Sequence, residues 1–258
     1  VPKVVVSTVS FSPLLPPERI APDLMMILWA GGLYGLNSIC KSSLSQACGA
    51  VLGAVRAVEA PKGDRPVVAI SSLGKSSLKY MVTLKPELER RGFEVAIFHA
   101  TGMGGRAMEF LVRQKKVVAV LDFALVEVSN QLMGSPVNAG ADRMLAAEDA
   151  GIPYMAAPGG VDLIDAQAAQ DIPVHLVGRE FHQHNRLITC AMMTEDERAI
   201  SARQITTRLA ANAAKGSSTT LIVPHGGVDE WDREGGDLFD PAGLKALCKT
   251  LEETNDPA

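Results

Sequence analysis

Apolar positions in this chain gather in short continuous runs rather than in strict alternation. PVVAIS (66–71), EVAIFHA (94–100), VVAVLDF (117–123), PYMAAP (153–158), RLITCAMM (186–193) and TTLIVPH (219–225) are such runs, and they predict strands covered on both faces. Longer segments of helical character lie between them: 76–92 with a glycine stop, Gly105 to Gln114, 124–133, 141–151, 194–216 and 240–253. Thr194, with Glu197 three positions later, carries the signature of a capping box. Strand–helix alternation of this kind predicts an α/β fold: three layers around a mostly parallel sheet, built from Rossmann-like βα units with right-handed crossovers.

The beginning of the chain reads differently. VPKVVVSTVSF (1–11) and LMMILWA (24–30) predict strands, SFSPLLPPERIAPD (10–23) a proline-rich loop, and residues 37–60 a long helix rich in small residues. APKGDRP (60–66) reads as a linker. The expected division is 1–62 as the tail of an N-terminal α/β domain (strand, loop, long helix) and 63–258 as a Rossmann-like α/β ligand-binding domain.

Composition narrows the function classes. The 258 residues carry 25 Lys and Arg against 29 Asp and Glu, so no basic field invites nucleic acid. No run reaches the roughly 18 apolar residues of a bilayer span, and the N-terminus lacks the layout of a signal peptide. Cys40, Cys48, Cys190 and Cys248 stand far apart without a C-x-x-C, the pattern of reduced thiols in a cytoplasmic protein.

In an open parallel sheet ligands bind beyond the carboxyl ends of the strands. The loops to inspect are therefore Ser71–Ser76, His99–Arg106, Asp122–Glu127, Pro158–Asp162 and His225–Asp232. FHATGMGGRAMEF (98–110) places Gly102, Met103, Gly104, Gly105 and Arg106 between a strand and a helix. Glycines there let backbone N–H groups reach an anion at the helix start, and Arg106 adds a forked donor. Without a ligand the same residues make a tight turn needing positive φ. Gly102-x-Gly104-x-x-Ala107, with Asp122 about twenty residues on, also matches a dinucleotide fingerprint. Gly74-Lys75-Ser76 has the tail of a Walker loop, but the preceding strand leaves too little loop to wrap phosphates. Ser72 and Ser76 remain able to cap a helix or touch an anion. His182 and His184 have H-x-H spacing, with no third ligand at metal spacing. Asn185 beside His184, and Gly159 and His225 in loops after strands, complete the candidates for contacting substrate.

The glycine segment also resembles the signature of the ATP-binding domain family that includes the plant tomato mosaic virus resistance protein. Further segments match in order: GLNSICKSSLSQACGAVLGAV (35–55), VVAVLDFALVEVSNQLMG (117–134), AAEDAGIPYMAAPGGVD (146–162), HNRLIT (184–189) and PHGGVDEWDREGGDLFDP (224–241). This chain has FALV where that family has a Thr-rich stretch, and DAQA where it has Asn-Phe-Gly. The resemblance implies a two-domain α/β protein, of which this chain resembles the tail of the first domain plus the second. It further implies a nucleotide or other anionic ligand, ATP with Mg²⁺, and a homodimer. Gly102, Met103, Gly104, Gly105 and Arg106 would cradle the anion, with Asp122 and Glu127 meeting Mg²⁺ or ribose. Ser72, Ser76, His99, Gly159, His184, Asn185 and His225 would face substrate.

Three readings follow: a nucleotide- or phosphate-ligand-binding domain, an NAD-dependent oxidoreductase on the Gly102…Asp122 fingerprint, and a non-catalytic interaction module. A metal-assisted hydrolase on His182, His184 and Asp122 is the fourth and weakest.

Overall fold

The computed structural model describes residues 2–7, 15, 19–28, 36–60, 63–168 and 170–255. Most of the proline-rich stretch between the first two strands lies outside these residues. The chain divides into two compact units, Val1–Asp64 and Arg65–Ala258. In the first, β1 (Lys3–Ser7) pairs in parallel with β2 (Leu24–Leu28), with Lys3 opposite Leu24 and Ser7 opposite Leu28. Helix α1 (Ser38–Ala57) starts at Asn37, whose side chain accepts the Cys40 N–H at 2.9 Å.

The second unit is built on β3 (Val67–Ser72), β4 (Glu94–His99), β5 (Ala119–Asp122), β6 (Tyr154–Ala156) and β10 (Thr219–Leu221). All five run parallel in the order β10-β6-β5-β3-β4. Side chains alternate across the sheet and feed two separate cores. Val68, Ile70, Val95 and Leu121 pack on one face with Met81, Leu84 and Leu88 of α2 (Gly74–Arg90). Ala69 and Val120 pack on the other with α3 (Met103–Arg113), α4 (Val126–Leu132), α6 (Glu195–Ala214) and α7 (Pro241–Thr254). Burial on both faces is why the strands read as unbroken apolar runs. The fold is the expected three-layer α/β arrangement. Thr194 caps α6 through the reciprocal bonds of the capping box, Glu197 N–H to Thr194 Oγ1 at 3.3 Å and Thr194 N–H to Glu197 Oε2 at 2.9 Å.

The parallel sheet is joined by an antiparallel one, of which the apolar runs announced only the middle strand, RLITCAMM, and that as a member of the parallel sheet. The antiparallel sheet comprises β7 (Leu163–Gln167), β8 (Phe181–Gln183) and β9 (Ile188–Met192), with β9 in the middle. It is fixed to α4 by Asn130, whose side chain both donates to Asp165 Oδ2 at 2.8 Å and accepts the Asp165 N–H at 3.0 Å. Helix α5 (Ala146–Ala150) is shorter than the predicted 141–151. Met144 sits at φ 75°, in the left-handed region, and turns Arg143 into the interior before the helix can begin.

After β3 the chain passes to β4 on one side, then returns to place β5 on the other. That reversal defines a topological switch point, where the loops beyond β3 and β5 diverge and leave a crevice. Both cavities described below lie along this carboxyl edge.

Candidate functional site

The glycine turn after β4 does hold an anion, and the anion belongs to the chain. Gly102 sits at φ 104°, and its N–H donates to Glu127 Oε1 at 2.6 Å, as does the Gly105 N–H at 3.1 Å. Glu127 is in turn held by Arg143 Nε at 2.9 Å. A Cβ on Gly104 would collide with the His99 carbonyl oxygen, so the glycine there serves close backbone packing. Met103 is partly exposed, and Arg106 in the first turn of α3 reaches beside Gly140.

Arg143 is wholly buried and joins three carboxylates. Its two terminal nitrogens take both oxygens of Asp122, at 2.5 and 2.8 Å, and Nη1 also reaches Glu109 at 3.1 Å. Asp122 further accepts Ser71 Oγ at 2.5 Å and the Tyr154 hydroxyl. Strand register causes this meeting, because Ser71 and Asp122 are paired residues of β3 and β5. Burial pushes Glu109 and Glu127 above the usual carboxylate range, against the pull of Arg143 and of two amide N–H groups each. Burial by itself pulls the Arg143 guanidinium down, but Asp122, Tyr154 and Glu127 around it together outweigh that and hold its pKa well above the ordinary value. Asp122 and Glu127 are therefore internal ion-pair partners with no exposed surface. A role on Mg²⁺ or ribose, and the dinucleotide fingerprint built on Asp122, needs oxygens left for a ligand, whereas these are taken up by Arg143, Ser71, Tyr154 and the turn amides, and neither residue lines the cavities described below.

The open space lies nearby. A cavity of about 550 Å³ is lined by the loops after β3 and β4, contributing Gly74, Ser76, His99 and Thr101, and by the antiparallel sheet and the loop after β10, contributing Asp162, Asp165, His184, Asn185, Cys190, Asp229 and Trp231. Four of the sequence candidates meet here: Ser76, His99, His184 and Asn185. Helix α2 opens into it with no side-chain cap and no acidic residue in its first turn, leaving its N–H groups and the positive end of its dipole turned toward the space. The Lys75 side chain lies outside the described residues. The Trp231 indole is flanked by His182 and His184, ring centroids 4.9 and 5.0 Å away. Asn185 is committed to its own turn, accepting the Leu187 and Ile188 N–H groups at 2.7 and 3.0 Å.

The remaining candidates separate. Gly159, with Ser76 again, lines a neighbouring groove of about 940 Å³ together with Tyr80, Phe123 and Arg233. Ser72 is buried at the end of β3, and His225 is exposed and paired with Glu252 at 3.1 Å. Among the described residues no group of three or more His, Cys, Asp or Glu is disposed to hold a metal ion.

Asp162 is the unusual member of the cavity. It is 1% exposed, and among the described residues neither carboxyl oxygen has a hydrogen-bond partner. Leaving such a group unsatisfied costs roughly 1–3 kcal/mol. Burial and the Asp229, Asp232 and Asp165 carboxylates push it well above the usual carboxylate range, against the pull of Arg198. Arg198 itself is engaged by Asp232 at 2.7 Å and Asp240 at 3.3 Å. Beside it the Cys190 thiol donates to Asp165 at 3.0 Å, and burial with that carboxylate pushes the thiol far up, so it stays protonated.

A raised folded-state pKa for an acid means the folded domain binds the proton more tightly than the unfolded chain. Stability therefore falls as pH rises from about 4 toward the folded value. Asp162→Asn removes that dependence. The variant's melting temperature is expected to exceed the wild type's by a margin that widens from pH 4 to pH 8 in a series of thermal unfolding curves. A constant or shrinking margin contradicts the assignment.

Residues 65–258 match the C-terminal domain, and residues 1–60 the N-terminal domain, of the Uncharacterised protein family (UPF0261). The chain belongs to the UPF0261 family. A UPF0261 protein of Brucella melitensis is 55% identical over 251 residues, covering 97% of this chain and 59% of the relative. One from Clostridium tetani is 35% identical over 256 residues, covering 98% and 62%. The ToMV resistance protein Tm-1(GCR237) of Solanum lycopersicum is 30% identical over 258 residues, covering 98% of this chain and 34% of that protein. The UPF0261 chain described here thus spans about three-fifths of the bacterial relatives it matches. Among its described residues no helix is long and apolar enough to cross a membrane.

Of the residues that this geometry brings forward, Arg143 had no place among the sequence candidates, Cys190 stood only among the separated thiols, Asp165 only in the DAQA segment, and Asp162 and Trp231 only as members of loops after strands. Arg143 did leave a signal, a lone cation followed by Met-Leu-Ala-Ala, which as a helix would place it beside apolar neighbours.

Proposed function

We propose that residues 65–258 bind a small phosphate-bearing ligand of nucleotide type in the 550 Å³ cavity. The observation that carries this reading is the place where α2 begins. Its first turn, uncapped and free of acidic side chains, opens into a cavity at the switch-point edge of a doubly wound sheet, where phosphate groups find N–H donors and a favourable dipole. The volume falls within the usual range for small-molecule sites. The resemblance to an ATP-binding family adds ATP, with Mg²⁺, as the first ligand to try, and NAD is the alternative.

Ligand at about a hundred times its dissociation constant adds roughly 2.7 kcal/mol of stability. A thermal-shift panel of ATP, ADP, NAD and NADP, each with and without Mg²⁺, and of inorganic phosphate is expected to raise the melting temperature with at least one nucleotide. Ser76→Asp, which sets a negative charge in the first turn of α2, is expected to cancel the rise. No response from any of these compounds, or a response that Ser76→Asp leaves intact, would sink the reading.

A further inference from the structure

Among the described residues five carboxylates are fully buried: Glu109, Asp122, Glu127, Asp162 and Asp232. Four have their oxygens engaged by the chain. Glu109 takes the Met144 and Ala146 N–H groups and Arg143, Asp122 takes Arg143, Ser71 and Tyr154, Glu127 takes two amides and Arg143, and Asp232 takes Arg198 and the Asp240 N–H. Only Asp162 has neither oxygen engaged, and it alone of the five lines the cavity. The fold satisfies the carboxylates it uses internally and leaves this one unengaged in the wall of the cavity into which α2 begins.

Three kinds of ligand group can answer such an acid, and its surroundings choose between them. An anionic group set directly on Asp162 is repelled by that acid and by Asp165 and Asp229, which line the cavity with it. An ammonium requires Asp162 to be ionised at a site with almost no water contact. A hydroxyl is donor and acceptor at once, and so bonds to the carboxyl in either protonation state. Two open oxygens side by side accept two hydroxyls, which a vicinal pair supplies. Trp231 adds an apolar wall for the carbon skeleton that carries them.

We infer that Asp162 binds a vicinal hydroxyl pair, so that the cavity takes a sugar or polyol phosphate, with the phosphate at the first turn of α2 and the hydroxyls on Asp162. This rests on the phosphate reading of the cavity and names the other half of the ligand. Ribose 5-phosphate, 2-deoxyribose 5-phosphate and inorganic phosphate are the probes, titrated calorimetrically into the chain and into Asp162→Leu.

The expected result is that the wild type prefers ribose 5-phosphate to its 2-deoxy analogue by about tenfold, the scale of leaving a buried polar group without its partner. In Asp162→Leu, which can neither donate nor accept, that preference disappears while inorganic phosphate binds as before. Equal affinity of the wild type for the two sugars, or a preference that survives in Asp162→Leu, overturns the inference and leaves the phosphate reading standing. Absence of binding by all three probes overturns both. The wild-type comparison of the two sugars decides the matter even if the variant does not fold.

Discussion

Replacing Arg143 by methionine is expected to unfold the second unit or come close to it. The substitution removes the one cation that Asp122, Glu127 and Glu109 share, all at zero or near-zero exposure. Breaking a buried pair in this way costs about 3–5 kcal/mol, because the surviving partner is stranded without water or counter-charge. Three carboxylates are stranded here, so the effect lies at the upper end or beyond. Urea unfolding followed by circular dichroism measures it. The companion measurement is the combined variant Arg143→Met with Asp122→Asn and Glu127→Gln, which removes charge from both sides and is expected to recover part of the loss. A single variant as stable as the wild type would show that the cluster contributes nothing to the fold.

Gly104→Ala is expected to be the next most damaging change. The added methyl meets the carbonyl oxygen and carbon of His99, which belong to the end of β4 and cannot rotate away as a side chain could. Overpacking of this kind costs about 1–3 kcal/mol, and displacement of β4 from the Glu127 contacts of the adjoining turn adds to it. Gly226→Ala is the matched control, since nothing lies within 4 Å of its added methyl and its φ needs no glycine. Chemical denaturation is expected to separate the two variants by roughly 2 kcal/mol or more. Equal stabilities would mean that β4 shifts freely to accommodate the methyl.

The parts of the fold that were legible in the sequence share one physical property: they bury both faces. β3 and β5 read as unbroken β-rich runs because α2 covers one side and α3, α4 and α6 the other. β7 and β8 did not read so. LIDAQ sets half-buried Asp165 and exposed Gln167 beside buried Leu163, Ile164 and Ala166, and FHQ has no buried residue, so neither carries a period strong enough to outweigh loop. The shortened α5 was hidden for another reason. Helical propensity across Arg143 and Met144 is ordinary, and only the buried carboxylates that draw Arg143 inward break the helix.

Part of the lining of the candidate cavity was legible. The rule that ligands gather beyond strand carboxyl ends pointed to these loops, and Ser76, His99, His184 and Asn185 line one cavity. What the rule could not supply was which partner fills which loop. Gly102 to Gly105 reads as an anion turn from the residues alone, but the donor of the anion stands on α4, more than twenty positions further along the chain. Asp162 reads as one more loop aspartate, because its isolation is a property of what surrounds it in space.

The partnership of the glycine turn with Glu127 has a kinetic and thermodynamic meaning of its own. A carboxylate delivered by the same chain competes at an effective concentration set by the fold, and dissolved anions have no such advantage. Occupancy of the turn therefore follows the folding equilibrium instead of the anion content of the surroundings. What in another protein would be a sensor of phosphate supply is here a permanent clasp, fastening the end of β4 to α4 for as long as the domain stays folded.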